Sequence, residues 1–115
     1  MISKDLISRI IDFREERNWK QFHNLRTLSS SLVLEASELL ELTQWTADSE
    51  IQQVVALKRQ EIEHEIADLS ILITYITEDL DIDIESAVSR KLEINSEKYP
   101  ISKAYGTSKK YTELE

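Results

Sequence analysis

L-S-S-S-L-V-L-E-A-S-E-L-L-E-L-T-Q-W, residues Leu28 to Trp45, is the stretch that decides the fold. Leu28, Leu32, Glu35, Leu39 and Leu42 follow one another at intervals of four, three, four and three, the rhythm of a seam that one helix buries against another. Four of the five are leucine and the fifth is a carboxylate. Glu38 stands one turn beyond Glu35, so the two acids are neighbours on one helix surface. The pattern recurs downstream. Ile62, Glu65, Leu69, Leu72 and Ile76 form a second seam, and Asp68 stands one turn past Glu65. An acid where a bundle wants leucine is costly unless a counter-charge or a metal meets it. Two such acid pairs on two helices can together hold a hard divalent cation.

The rest of the chain fits an all-α domain, a four-helix bundle over residues 1–100, followed by a short irregular basic tail, 101–115. Its only proline is Pro100 and its only glycine Gly106, so no strong breaker interrupts the helical pattern before the tail. Helix one is expected over Lys4 to Arg17, with Leu6, Ile10 and Phe13, flanked by Ile7 and Ile11, as its apolar face. Asn18 to Asn24 breaks the rhythm and holds Trp19, Phe22 and His23. Such a connection either plugs one end of the bundle or carries function. Helix two is the opening stretch, its second face Leu34-Glu38-Glu41 closed by Trp45.

Asp48 or Ser49 is expected to cap a long helix three, from about Glu50 to Glu78. From Ile66 to Ile76 that helix is apolar nearly all round, Asp68, Ser70 and Thr74 excepted. A helix of this kind is covered on more than one side, which in so small a chain points to a homo-oligomer. Asp83 is placed to cap helix four, whose stripe begins as Ile84 and Val88 and continues as Lys91, Asn95 and Lys98. Arg90, Lys91, Lys98, Lys103, Lys109 and Lys110 make this C-terminal stretch basic in a chain of net charge −8. A basic patch joined to an acidic metal site suits a polyanion that brings its own metal.

The same composition excludes several classes. There is no cysteine, hence no disulfide, no thiolate nucleophile and no cysteine-zinc site. With 14 basic against 22 acidic residues, a general nucleic-acid-binding role is disfavoured. The opening M-I-S-K-D-L-I-S-R-I-I-D-F-R-E-E-R carries charges throughout and resembles neither a signal peptide nor a membrane span, so a soluble cytoplasmic protein is the expectation.

Carboxylate oxygens are hard ligands that suit Mg²⁺, Mn²⁺ or Ca²⁺. Magnesium commonly takes one or two carboxylates and completes its shell with water and substrate phosphate. A carboxylate standing off the metal can orient or deprotonate an attacking water, and Glu41 and Glu61 are placed for that task, one turn from Glu38 and Glu65. A ferritin-like di-iron site needs two Glu-x-x-His units. Glu61 to His64 supplies one, and His23 has no glutamate three residues before it.

Beyond the acids, Glu35-x-x-Glu38 and Glu65-x-x-Asp68 resemble the paired motifs of the MazG-like all-α nucleoside triphosphate pyrophosphohydrolases. E-R-N-W-K-Q-F-H-N-L-R (Glu16 to Arg26), E-L-T-Q-W (Glu41 to Trp45), K-L-E-I-N-S-E-K-Y-P (Lys91 to Pro100) and K-K-Y-T-E-L (Lys109 to Leu114) are similar to the dCTP pyrophosphatase branch. The resemblance implies Mg²⁺-dependent hydrolysis, with Mn²⁺ as a substitute, of dCTP or a modified pyrimidine deoxynucleotide to monophosphate and pyrophosphate. It implies Glu35, Glu38, Glu65 and Asp68 as metal ligands. Trp19, His23 and Trp45 would lie about base and sugar, and Lys91 and Asn95 at phosphate or sugar. Lys98 and Tyr99 fall in the same motif. The family commonly forms tetramers, here a dimer of dimers. Its dCTP-selective members carry a tyrosine one turn after the last aspartate, where this chain has Leu72, with Tyr75 almost a turn further on. Base preference therefore stays open between dCTP, dUTP and a broad set of triphosphates. A nucleotide- or metal-sensing bundle without turnover is the non-enzymatic alternative.

Overall fold

Three polar residues start three of the helices, and each does so with a side-chain hydrogen bond. Ser3 Oγ accepts from the Leu6 amide at 3.2 Å and opens α1, Lys4–Glu16. Asn24 opens α2, Leu25–Glu41, through a reciprocal pair: its Oδ1 accepts from the Thr27 amide while Thr27 Oγ1 accepts from the Asn24 amide, both at 2.9 Å. Two otherwise orphaned donors are satisfied at once. Asp83 caps the Ser86 amide at 3.2 Å and opens α5, Ile84–Lys98. Between these lie α3, Ile51–Leu57, and α4, Arg59–Asp79, and the chain closes with α6, Ile101–Ala104, and a 3-10 turn at Tyr111–Glu113. The computed structural model describes residues 2–115, and no strand occurs among them.

The chain divides into two compact units, Met1–Leu80 and Asp81–Glu115. In the first, α2 packs chiefly on α4, and α1 also packs on α4. Leu28 shares a buried cluster with Tyr75, Glu35 meets Glu65, and Lys58 Nζ donates to the Leu42 carbonyl at 3.3 Å. As one partner climbs in number the other descends, so the two helices run antiparallel. Every residue of both seams is drawn inward. Leu28 is buried, and Leu32, Glu35, Leu39, Leu42, Ile62, Glu65, Leu69, Leu72 and Ile76 are all partly buried. Ile10 from α1 completes the centre of the cluster, with Ile2, Ile11, Ile71, Leu72 and Ile76 around it.

In the second unit the segment after Pro100 returns to the end of α5. Tyr111 meets Tyr99 edge-on at 6.1 Å, and Lys98 Nζ lies 4.5 Å from the centre of the Tyr111 ring.

Three details differ from the sequence expectation. Helix two stops at Glu41, four residues short of Trp45, and its end is tightened by Leu42 and Thr43 amides that bond three residues back. Trp45 is therefore not on the helix and stands 91 % exposed. The long third helix is broken at Lys58, whose side chain leaves to cap the end of α2. Neither Asp48 nor Ser49 caps α3; residues Asp48–Glu50 form a 3-10 turn leading into it.

Leu28, 2 % exposed at the meeting of α1, α2 and α4, is the best test of this core. Leu28→Ala is expected to cost roughly 2–5 kcal/mol in urea denaturation. Asn24→Ala, which removes a cap without opening a cavity, is expected to cost about 1 kcal/mol.

Candidate active site

Leucine spacing brings the carboxylates together. Glu35 sits in the seam of α2 and Glu65 in that of α4, and antiparallel packing sets them opposite each other. Ligand oxygens of Glu35, Glu38 and Glu65 all lie within 4.8 Å of one another. Oε2 of Glu35 and Oε2 of Glu65 are shut away from solvent with no hydrogen-bond partner. Ionised carboxylates only accept, so these two oxygens can be satisfied by a proton or by a cation. The Glu35 carboxyl shows the strain of the arrangement. Its pKa is pushed up to about 7, first by burial, then by hydrogen bonding to Glu65, then by the charge and hydrogen bonding of Glu38, with Asp68 adding its charge. Three convergent hard oxygens, two of them with an orphaned neighbour atom, fit a hard divalent ion.

The remaining acids stand further out. Asp68 is exposed and acts on Glu35 through its charge, without joining the group of oxygens within 4.8 Å. Glu41 and Glu61 are exposed and also lie outside that group. Within the first unit, the connection between α1 and α2 places Trp19 edge-on to Phe13 at 5.7 Å, and the Arg17 guanidinium covers the Phe13 ring at 3.7 Å. His23 is half-buried against Tyr75, ring centres 5.3 Å apart. Lys91, Asn95, Lys98 and Tyr99 belong to the second unit: Lys91 is exposed and the other three are partly covered.

A second charged cluster escaped the sequence reading. Arg14 is 1 % exposed and grips Asp79 with both arms of its guanidinium, at 2.9 and 2.7 Å. The same guanidinium lies 4.6 Å from the centre of the Tyr75 ring and reaches His23 Nδ1 at 3.3 Å. The hydrogen bond from Arg14 holds the Asp79 carboxyl below the usual carboxylate range, and in return Asp79 raises the Arg14 pKa. The signal was present in the pattern. Arg14 continues the Ile7-Ile10 stripe of α1, and Asp79 continues the Leu72-Ile76 stripe of α4. A charge continuing an apolar stripe marked the seam glutamates too.

Beside this cluster, α1 and α4 enclose a cleft of about 470 Å³ lined by Leu6, Ile10, Phe13, Ile71 and Tyr75, with Arg9, Asp12, Glu16 and Arg17 at its edges. Ile71 is one turn beyond Asp68 on α4, and Tyr75 two turns, about 10.5 Å along the helix. The volume is within the range of small-molecule sites.

The sequence model of the MazG-like family matches residues 30–114. The chain is 38 % identical over 105 residues to dCTP pyrophosphatase 1 of Homo sapiens and 35 % identical to that of Mus musculus. In each case the match covers 90 % of this chain and 62 % of the relative, so the chain spans under two thirds of their length. The crystal structure of a pyrophosphatase from Archaeoglobus fulgidus superposes with a TM-score of 0.81 at 36 % identity, covering 84 % of this chain and 91 % of that one.

Glu35 makes the stability of the metal-free protein depend on pH in an unusual direction. Its folded pKa lies near 7 against 4.5 for a free carboxyl, so the folded state holds a proton that the unfolded state has released. Stability contributed by that proton is present at acid pH and falls as pH rises through this window. In a chelating buffer, Glu35→Gln is expected to be more stable than the parent above pH 7. The difference should shrink towards pH 5, as read by urea midpoints across the range.

Proposed function

The chain belongs to the MazG-like family, and from that premise we propose that it hydrolyses a nucleoside triphosphate, dCTP or a modified pyrimidine deoxynucleotide, to monophosphate and pyrophosphate. The observation that carries this reading is the set of convergent oxygens of Glu35, Glu38 and Glu65, which includes two seam acids left with orphaned atoms. Dedicated burial of like charges has no structural benefit that leucine would not supply more cheaply.

Glu35, Glu38 and Glu65, with Asp68 one turn away, would hold Mg²⁺, and Mn²⁺ in its place. When bound, the ion supplies charge neutralisation at the phosphate oxygens and lowers the pKa of water. The chain's own residues do the rest. The acids orient the triphosphate by the fixed spacing of α2 and α4. Glu41 or Glu61 stands one turn from a ligand and, on this reading, aligns a water and takes its proton as oxygen attacks phosphorus. The bond between the α-phosphorus and the bridging oxygen breaks, and pyrophosphate leaves with that oxygen. The α1–α4 cleft, beginning one turn past Asp68, takes the nucleoside, with Trp19, His23 and Tyr75 about it. Trp45 would add a further aromatic face. By the family resemblance alone, Lys91, Asn95, Lys98 and Tyr99 are taken as substrate-binding residues.

A homo-oligomer, a dimer of dimers, belongs to the same reading. Val33 and Leu34 on α2 are 68 % and 65 % exposed, and Ile66 on α4 is 50 % exposed. These apolar faces stay uncovered among the described residues. No helix among the described residues is long and apolar enough to cross a membrane.

Turnover of a panel of deoxy- and ribonucleoside triphosphates, with and without Mg²⁺, tests the reaction. Pyrophosphate with the matching monophosphate is expected; release of single phosphate would falsify the proposed bond cleavage. Glu38→Gln, exposed and outside both seams, is expected to lower kcat more than about 100-fold with the melting curve unchanged. Light scattering on a sizing column is expected to give a multimer that Leu34→Glu splits; a parent chain running as a monomer ends the oligomer proposal.

A further inference from the structure

Resting on the reading of this unit as a nucleotide site, we propose that the Arg14–Asp79 pair positions His23 as its Nε2–H tautomer, a fixed hydrogen-bond donor to an oxygen acceptor on the substrate's nucleoside half.

The tautomer follows from donor and acceptor roles. A guanidinium has N–H donors and no acceptor, so the 3.3 Å contact from Arg14 Nη1 requires a lone pair on His23 Nδ1. The ring proton must then reside on Nε2. Arg14 cannot turn away, because its two arms are held by Asp79 at 2.9 and 2.7 Å and its flat face lies over Tyr75. Tyr75, 5 % exposed, in turn backs the imidazole. Burial, followed by the Arg14 charge, pulls the His23 pKa down against a weaker opposing effect of Asp79, which keeps the ring neutral. Nε2 has no hydrogen-bond partner among the described residues and is not one of the buried unpartnered atoms, so its N–H is open to a ligand.

The arrangement is expensive for a merely structural clamp. Ile and Leu at positions 14 and 79 would fasten α1 to the end of α4 without desolvating two charges. They could not hold a donor against Nδ1. What the pair adds is control over which edge of the imidazole carries hydrogen, as second partners of functional histidines commonly do. The shared chemistry of the acceptor is a neutral oxygen: the carbonyl common to cytosine, uracil and thymine, or a sugar hydroxyl.

Long-range ¹⁵N–¹H spectra of the ligand-free protein at neutral pH read the tautomer directly, with His64→Gln assigning the two rings. His23 is expected to be unprotonated at Nδ1 and protonated at Nε2. Nδ1–H, or a doubly protonated ring, overturns the proposal without reference to turnover. The kinetic arm uses Asp79→Asn, which is expected to raise KM for the best nucleotide about tenfold with kcat little changed. In a His23→Gln background, where an amide N–H needs no tautomer, the same Asp79→Asn change should add little to KM. An equal rise in both backgrounds would show a purely structural pair and sink the idea. Repeating the comparison with a 3′-deoxy sugar separates the sources: a penalty that vanishes assigns the sugar hydroxyl, and one that persists assigns the base carbonyl. The expected tautomer in a protein that turns over no nucleotide would overturn the proposed function and the substrate half of this inference together, leaving the tautomer half standing.

Discussion

Two carboxylates facing each other across a leucine seam are the constraint on which the rest of this fold turns. Glu35 and Glu65 stand where the spacing of α2 and α4 calls for apolar side chains, and their inner oxygens find no donor. Like charges at that separation drive the helices apart unless a proton or a cation intervenes. The hairpin is therefore fastened on both sides of the acids. At one end Leu28, Tyr75 and Ile10 form the buried cluster; at the other Lys58 bonds the Leu42 carbonyl. Fixed ends hold the oxygens within reach of one another even when nothing lies between them. Such preorganisation is what a hard cation requires of an acidic site, since the repulsion is met during folding and relieved on binding.

The second charged cluster solves the opposite problem. Arg14 and Asp79 are also charges on apolar stripes, but of opposite sign, and they satisfy each other with a two-pronged contact. Their pKa shifts record the difference. The carboxyl of Asp79 is lowered chiefly because Arg14 donates to it, and that of Glu35 is raised first by burial and then by the neighbouring acids Glu65 and Glu38. In the matched pair both carboxylate oxygens of Asp79 meet a donor and only Arg14 Nε is left without a partner, whereas Oε2 of each seam glutamate has none.

Both seams could be read from the sequence because spacing along a helix is a local property. Each of the ten seam residues chosen by spacing is drawn inward, and Asp83 caps α5 as its position before Ile84 suggests. The pairing of Asn24 with Thr27 was equally local, but it lacks the Glu or Gln of the usual capping signature. What spacing could not show depends on contacts between distant residues. The break at Lys58 has no glycine or proline to mark it; it accompanies a side chain diverted to another helix. Asp79 lies 65 positions from Arg14, and nothing in either neighbourhood names the other as its partner. Of the four acids in the site pattern, three converge within 4.8 Å, while the exposed Asp68 acts on Glu35 by its charge. Spacing gives a residue its face, and the depth of its side chain depends on what packs opposite.

The position of the aromatic residue on α4 bears on substrate size. The sequence resemblance leads one to expect a tyrosine one turn past Asp68, where this chain carries Leu72. Here the aromatic is Tyr75, three residues later, which moves it about 4.5 Å along the axis while keeping it near the same face. Ile71 and Tyr75 line the cleft, and Tyr75 closes against His23 and Arg14. The part of this wall nearest Asp68 is therefore aliphatic, and Tyr75 lies a further turn along α4. An aliphatic wall discriminates weakly among bases, because a methyl group more or less is worth only about 1–3 kcal/mol. Strong selection has to come from hydrogen bonds, and beside Tyr75 the ring that Arg14 and Asp79 hold in place is that of His23. On the proposed reading, base choice falls to the group around Tyr75, about two helical turns along α4 from Asp68, which draws Arg14 and His23 from outside that helix.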